Sequence, residues 1–180
     1  MKRIVTAVCC ILIASLPAMA QKKHAAKGGG MTDQQFVDMA AQIDMVEANL
    51  GQMAGNTADA QEVKDYGQML ATDHTSDYQQ LTNVAKQANL TVPSAIDAAH
   101  NKAMIDPFQK LKGAAFDKKY VQEMVAGHTK ALEAFKKEAA DAQNPTIKSY
   151  AESVVPALEK HLSAAKDLMK AKPAKAKAAQ

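Results

Sequence analysis

The stretch from Val63 to Ala88 constrains the fold more than any other part of the chain. Val63, Tyr66, Leu70, Tyr78, Leu81, Val84 and Ala88 recur at mostly three- and four-residue intervals, the spacing that lines up side chains on one face of an α-helix. A helix of that length with a continuous apolar face must lay that face on other helices. His74 lies on the same stripe, four residues after Leu70, with Asp73 beside it. The buried face of this helix therefore carries a titratable ring. No segment alternates apolar and polar residues over a useful length, so strands are not expected.

Three other segments repeat the pattern. Thr32 followed by Gln35 reads as a capping box. The helix it opens carries Phe36, Met39, Ala40, Ile43, Val46, Glu47, Leu50 and Met53 on its stripe and is expected to end at Gly55-Asn56. Thr57 or Asp59 then starts the Val63 helix, with Glu62 in the first turn where the helix dipole favours an anion. Asn89 to Pro93 ends it. A third helix is expected from about Ala114, with Phe116, Tyr120, Val121, Met124, Val125, His128, Leu132 and Phe135 on one side. Asn144-Pro145 starts a fourth, bearing Ile147, Ala151, Val154, Leu158, His161, Leu162, Ala165 and Leu168. Pro156 lacks the N–H for one ladder bond and is expected to kink that helix. Ser94 to Gly113 contains Pro107 and irregular apolar spacing, and reads as a crossover with a short helix near Ser94 to Met104. Two helices, a long connection and two more helices describe an all-α, ferritin-like four-helix bundle over residues 32–169.

The first twenty residues read as a cleavable signal peptide. Met1-Lys2-Arg3 is a basic start, Ile4 to Leu16 an apolar run too short to span a bilayer, and Ala18-Met19-Ala20 a small-residue cleavage signal. Both cysteines, Cys9 and Cys10, fall inside it. The mature chain, exported to the periplasm or beyond, would then have no thiol chemistry and no disulfide, and would rely on core packing.

Charge divides the chain. All nineteen acidic residues lie between Met31 and Met169. Lys22, Lys23 and Lys27 precede that acidic core, and Lys170, Lys172, Lys175 and Lys177 follow it. Residues 21–31 and 170–180 are too basic and too poor in large apolar groups to fold, and read as disordered tails. They serve either solubility or weak electrostatic contact with anionic envelope polymers. An acidic folded part argues against nucleic acid as a partner.

His74, His128 and His161 come from three different helices, each on or beside its apolar stripe and each near mid-helix. At ~1.5 Å rise per residue their levels agree to within about one turn. Three converging imidazoles can ligate a transition metal such as Zn, Cu or Fe. Asp73, Asp77, Glu123 and Glu159 are candidate extra ligands or groups that orient the rings, and Met39 near the same level would suit copper. The alternative is that each ring hydrogen-bonds a tyrosine or an acid across the core. Counting along the helices separates Glu47 from His74 by ~13 Å, which leaves Glu47 beside Tyr66 and outside the site. The Glu-x-x-His pairs of a di-iron centre are absent, as are phosphate loops and nucleophile elbows, so an enzymatic role is not favoured. Buried neutral histidines predict a melting temperature that drops as pH falls from 7.5 to 5.

Several of these pieces resemble a bacterial envelope family, domain of unknown function 4142, often labelled predicted outer membrane protein. They are Phe36 through Glu47 with Leu50, Val63-Lys64, Met69 through His74, Ala114 through Tyr120, Gly127-His128, and Pro156 through Leu162. The resemblance implies a ferritin-like bundle and no established activity. Two functional classes follow from the sequence: an exported bundle that binds a transition metal for metal handling or stress protection, or an envelope interaction module without metal.

Overall fold

The computed structural model describes residues 30–171. The expected signal peptide with both cysteines, His24, and the lysines expected in the tails, apart from Lys170, lie outside the described residues. Within them the protein is all-helical: α1 (Asp33–Thr57), α2 (Gln61–Gln87), a short α3 (Ala98–His100), α4 (Gly113–Asp141) and α5 (Pro145–Lys170). The long helices pack as a bundle, α1 on α2 and α4 on α5, with α2 against α5 and α1 more lightly against α4. No helix among the described residues is long and apolar enough to cross a membrane.

Local chemistry sets the helix ends. Gln35 N–H donates to Thr32 Oγ1 at 3.2 Å and Thr32 N–H to Gln35 Oε1 at 2.9 Å, closing the expected capping box. Asn144 Oδ1 accepts from Thr146 N–H at 2.9 Å, ahead of Pro145 at the first position of α5. α5 then continues through Pro156 to Lys170. Asn89 takes the left-handed conformation (φ 56°) just past α2, and Leu90 N–H reaches back to Ala85 O at 2.8 Å.

Two boundaries differ from expectation. Gly55-Asn56 does not end α1, which continues to Thr57. Close approach between α1 and α2 falls to two other glycines, Gly51 and Gly67. A Cβ on Gly51 would lie 2.5 Å from Gly67 O, and one on Gly67 would lie 2.6 Å from Ala54 Cβ. Neither Thr57 nor Asp59 caps α2. Ala60 holds the cap position, and Asp117 of α4 accepts from Asp59 N–H at 2.9 Å and Ala60 N–H at 2.8 Å. That carboxylate satisfies two turn amides and sits favourably at the positive end of α2.

The crossover between α2 and α4 runs along α1. Gln34 Nε2 donates to Thr91 O at 2.8 Å, and Gln42 binds Ala95 O at 3.1 Å and Asp97 N–H at 3.0 Å. A π-type stretch, Asn101–Ile105, and a tight 3-10 turn, Asp106–Phe108, continue α3 and insert Ile105 and Phe108 into the core. The buried core falls into two apolar clusters. One gathers Val46, Leu50, Tyr66, Leu70, Tyr120 and Met124 with Phe108 and Phe116. The other gathers Phe36, Leu81, Phe135, Ile147, Tyr150 and Leu158. On each long helix the residues between these clusters are buried polar groups: Asp44 and Glu47 on α1, His74 on α2, His128 on α4 and His161 on α5.

Candidate metal centre

The three histidines predicted from their stripes meet in that polar layer. Their rings are 1–3% exposed, with centroids 5.4 to 5.7 Å apart. One nitrogen from each ring lies within 4.8 Å of the other two. Among the described residues this is the one such cluster of His, Cys, Asp or Glu donors.

Each ring has one nitrogen engaged and one free. His128 Nδ1–H donates to Met124 O at 3.0 Å, the carbonyl one turn earlier on α4. A carbonyl can only accept, so the free His128 Nε2 carries a lone pair. His161 Nε2 pairs with Asp73 Oδ2 at 2.9 Å, and His74 Nδ1 with Asp44 Oδ1 at 2.9 Å. The unpartnered ring nitrogens are His74 Nε2, His128 Nε2 and His161 Nδ1. Carboxylate or carbonyl on the far nitrogen is how metal-ligating imidazoles are oriented and made more basic.

Burial fixes the protonation of the rings. Desolvation lowers the pKa of all three, most clearly for His128, which drops to about 3 because it is buried and faces His74 and His161. Near pH 7 all three are neutral, the state in which imidazole can bind a metal. Burial pushes the acids the other way. Asp44 rises well above the usual carboxylate range, and Glu47 reaches about 7.

The other candidates are distributed unevenly. Asp73 touches the cluster through His161. Asp77 accepts from Tyr150 O–H at 3.1 Å, and burial lifts its pKa to about 7. Glu123 pairs with Lys119 at 3.0 Å. Glu159 pairs with Lys136 at 2.7 Å on the surface, both side chains about half exposed. Met39 is half-buried and packs against the Phe36 cluster. Asp97 and His100 form their own pair in the crossover.

Glu47 is a correction. α1 ends later than its glycines suggested and α2 starts later than its polar residues suggested. Glu47 therefore lies ten residues before the end of α1 and His74 thirteen after the start of α2, an offset of roughly 5 Å. Glu47 is 5% exposed, its field reaches His74, and it adds to the burial that chiefly raises the pKa of Tyr66 and Tyr120. Asp44 flanks the apolar stripe at His74's level, a position that marks it as a neighbour of the ring but not as its partner. Its spacing of three from Glu47 was the available signal, since that places two acids on one helix face.

An all-helical bundle with a buried cluster of three histidines is the class that fold and site define. The chain belongs to the family described as Domain of unknown function (DUF4142), which matches residues 17–168. Two solved structures share the fold. CopM in the Cu(II)-bound form is similar with a TM-score of 0.64 at 16% identity, over 77% of this chain and 95% of that one. CopM in the Ag-bound form gives 0.61 at 17% identity, over 76% and 94%. No curated protein matches the chain.

Proposed function

We propose that the protein is an exported, ferritin-like four-helix domain, residues 32–169, that binds one transition-metal ion through His74 Nε2, His128 Nε2 and His161 Nδ1. The carrying observation is that these three buried nitrogens have no hydrogen-bond partner in a cluster where one nitrogen of each ring lies within 4.8 Å of one from each of the others. Buried polar atoms are normally satisfied. Three orphaned nitrogens on three neighbouring rings, with every opposite nitrogen engaged, fit a ligand set better than a packing arrangement. The donor set is neutral and nitrogen-only, which suits zinc, copper or iron. The similarity to CopM, solved with Cu(II) and with Ag, supports metal handling; a stress-protection role in the cell envelope rests on the export signal expected in residues 1–20.

Metal analysis of untagged protein tests this reading. The expected result is one ion per chain after exposure to Zn or Cu, lost in His128→Ala. A protein that stays metal-free and whose melting temperature ignores both ions overturns it.

A further inference from the structure

Three imidazoles contribute no charge, so a cation held by them in a dry layer needs carboxylates to balance it. Four acids act on the cluster. Asp44 is buried and hydrogen-bonds His74. Asp73 holds His161 but leaves 40% of its side chain in water, where its charge is screened. Asp77 acts on His74 from a distance and is engaged by the Tyr150 hydroxyl. Glu47 is the fourth. It is buried, one turn from Asp44 on α1, and its Oε2 has no partner.

An unpartnered buried carboxylate oxygen costs folding free energy. The chain even makes room for Glu47: a Cβ on Gly127, the residue before His128, would lie 3.4 Å from Glu47 Oε1.

Building on the metal-binding reading above, we infer that Glu47 is the charge-selecting residue of the cluster, making the three histidines favour a divalent over a monovalent transition-metal ion. With a cation beside it, which favours the ionised carboxylate over the neutral form that burial alone prefers, Asp44 supplies the one buried negative charge that a monocation needs. A dication needs a second, and Glu47 is the other buried carboxylate in this layer with a free oxygen. Glu47 acts on the ion's charge from outside the three-nitrogen donor set. Its removal therefore changes which charge is held, whereas loss of a ring changes whether any ion is held.

The test titrates Zn(II) and Ag(I), in competition with chelators, into untagged wild type, Glu47→Gln and Asp44→Asn. Glu47→Gln keeps shape and removes charge. It is expected to weaken Zn(II) binding at least about tenfold, the scale of losses when groups around a metal's ligands are altered. Ag(I) binding should change less than about threefold. Asp44→Asn, which also disturbs the orientation of His74, should weaken both ions. Glu47→Leu serves as the second variant if Glu47→Gln loses its helical circular dichroism, and the same split is expected of it. Equal loss of both ions, or of neither, in the folded Glu47 variant overturns the inference while leaving the metal site intact. A wild type that binds neither ion overturns the metal reading and this inference with it.

Discussion

Two aspartate–histidine pairs in this protein have the same length and opposite surroundings. Asp97 and His100 sit in the crossover, with ring nitrogen and carboxylate 2.9 Å apart and side chains 52% and 44% exposed. Asp44 and His74 are also 2.9 Å apart, but their side chains are 3% and 4% exposed. The first pair is local. Asp97 caps α3 by accepting the His100 N–H at 2.8 Å, and that bond, followed by the one from the ring, holds its carboxyl below the usual value. The second joins two helices across 30 residues of sequence, and burial drives its carboxyl up. Equal geometry thus has opposite energetics: water makes the crossover pair a helix cap, and the dry core makes the other a strained polar contact. The costly pair is the one that belongs to the candidate site.

Breaking the scaffold under the buried pair gives the largest effect. Gly67→Leu forces a side chain where even a Cβ meets Ala54 and the Gly51 carbonyl. It is expected to cost about 3 kcal/mol or more in denaturant unfolding, the upper range of overpacking, and to abolish ion binding. Stability equal to wild type would show that the α1–α2 spacing is slack.

Removing buried charge sharpens the comparison next. Glu47 moves from 4.5 to about 7 on folding, so the native state binds more protons than the unfolded state between those values. Its contribution is least favourable above pH 7 and recovers as pH falls towards 4.5. Without metal, Glu47→Gln should therefore stabilise the protein at pH 8 by on the order of 3 kcal/mol. The gain should vanish by about pH 4.5. A gain independent of pH would remove burial as the cause.

The same accounting corrects the pH trend expected from the histidines alone. Depressed imidazole pKa values make stability fall as pH drops below about 6.5, because the unfolded chain takes up protons first. Glu47, Asp77 and Glu138, all lifted to about 7 chiefly by burial, act in the opposite sense between about 4.5 and 7. The two groups offset each other in that window. Thermal melts of the metal-free protein should be nearly level from pH 6.5 to 4.5 and fall below it, where His128 still resists protonation towards pH 3. A steep fall already at pH 6 would mean the carboxyls are solvated.

The pair itself comes third. Asp44→Ala strands the His74 Nδ1 in the core and is expected to cost about 1–3 kcal/mol, with metal affinity reduced about 10–100-fold. Asp97→Ala is the smallest effect: a loss of stability below that of Asp44→Ala, as for an exposed cap on a short helix, and no change in metal affinity. A matching loss in both variants would erase the distinction between the pairs.

The sequence reveals the helices and the three rings for one reason. An amphipathic helix declares its buried face by period, and a histidine on that face is visible as an exception. Asp44 was harder to see because it lies at the margin of its stripe, where an acid looks like ordinary surface. Glu47 lies on the stripe, but helix ends read from local turn residues place it at a different level from His74. Gly55-Asn56 reads as a stop, yet the glycines of this hairpin let backbones touch, a role that depends on the partner helix and leaves no periodic mark. The cap at α2 was also hidden, because Asp117 arrives from another helix 57 residues away.

The three-histidine cluster also bears on the order of assembly. Its rings come one each from α2, α4 and α5, and the carboxylates beside them from α1 and α2. No helical hairpin of this chain contains more than two of the rings. On the metal-binding reading, a chain in which any of α2, α4 and α5 is undocked lacks the full donor set, and the three nitrogens come together only when the last of those helices docks. An ion at a hundred times its dissociation constant would then favour the closed form by about 2.7 kcal/mol, acting as a latch on whichever of the three arrives last.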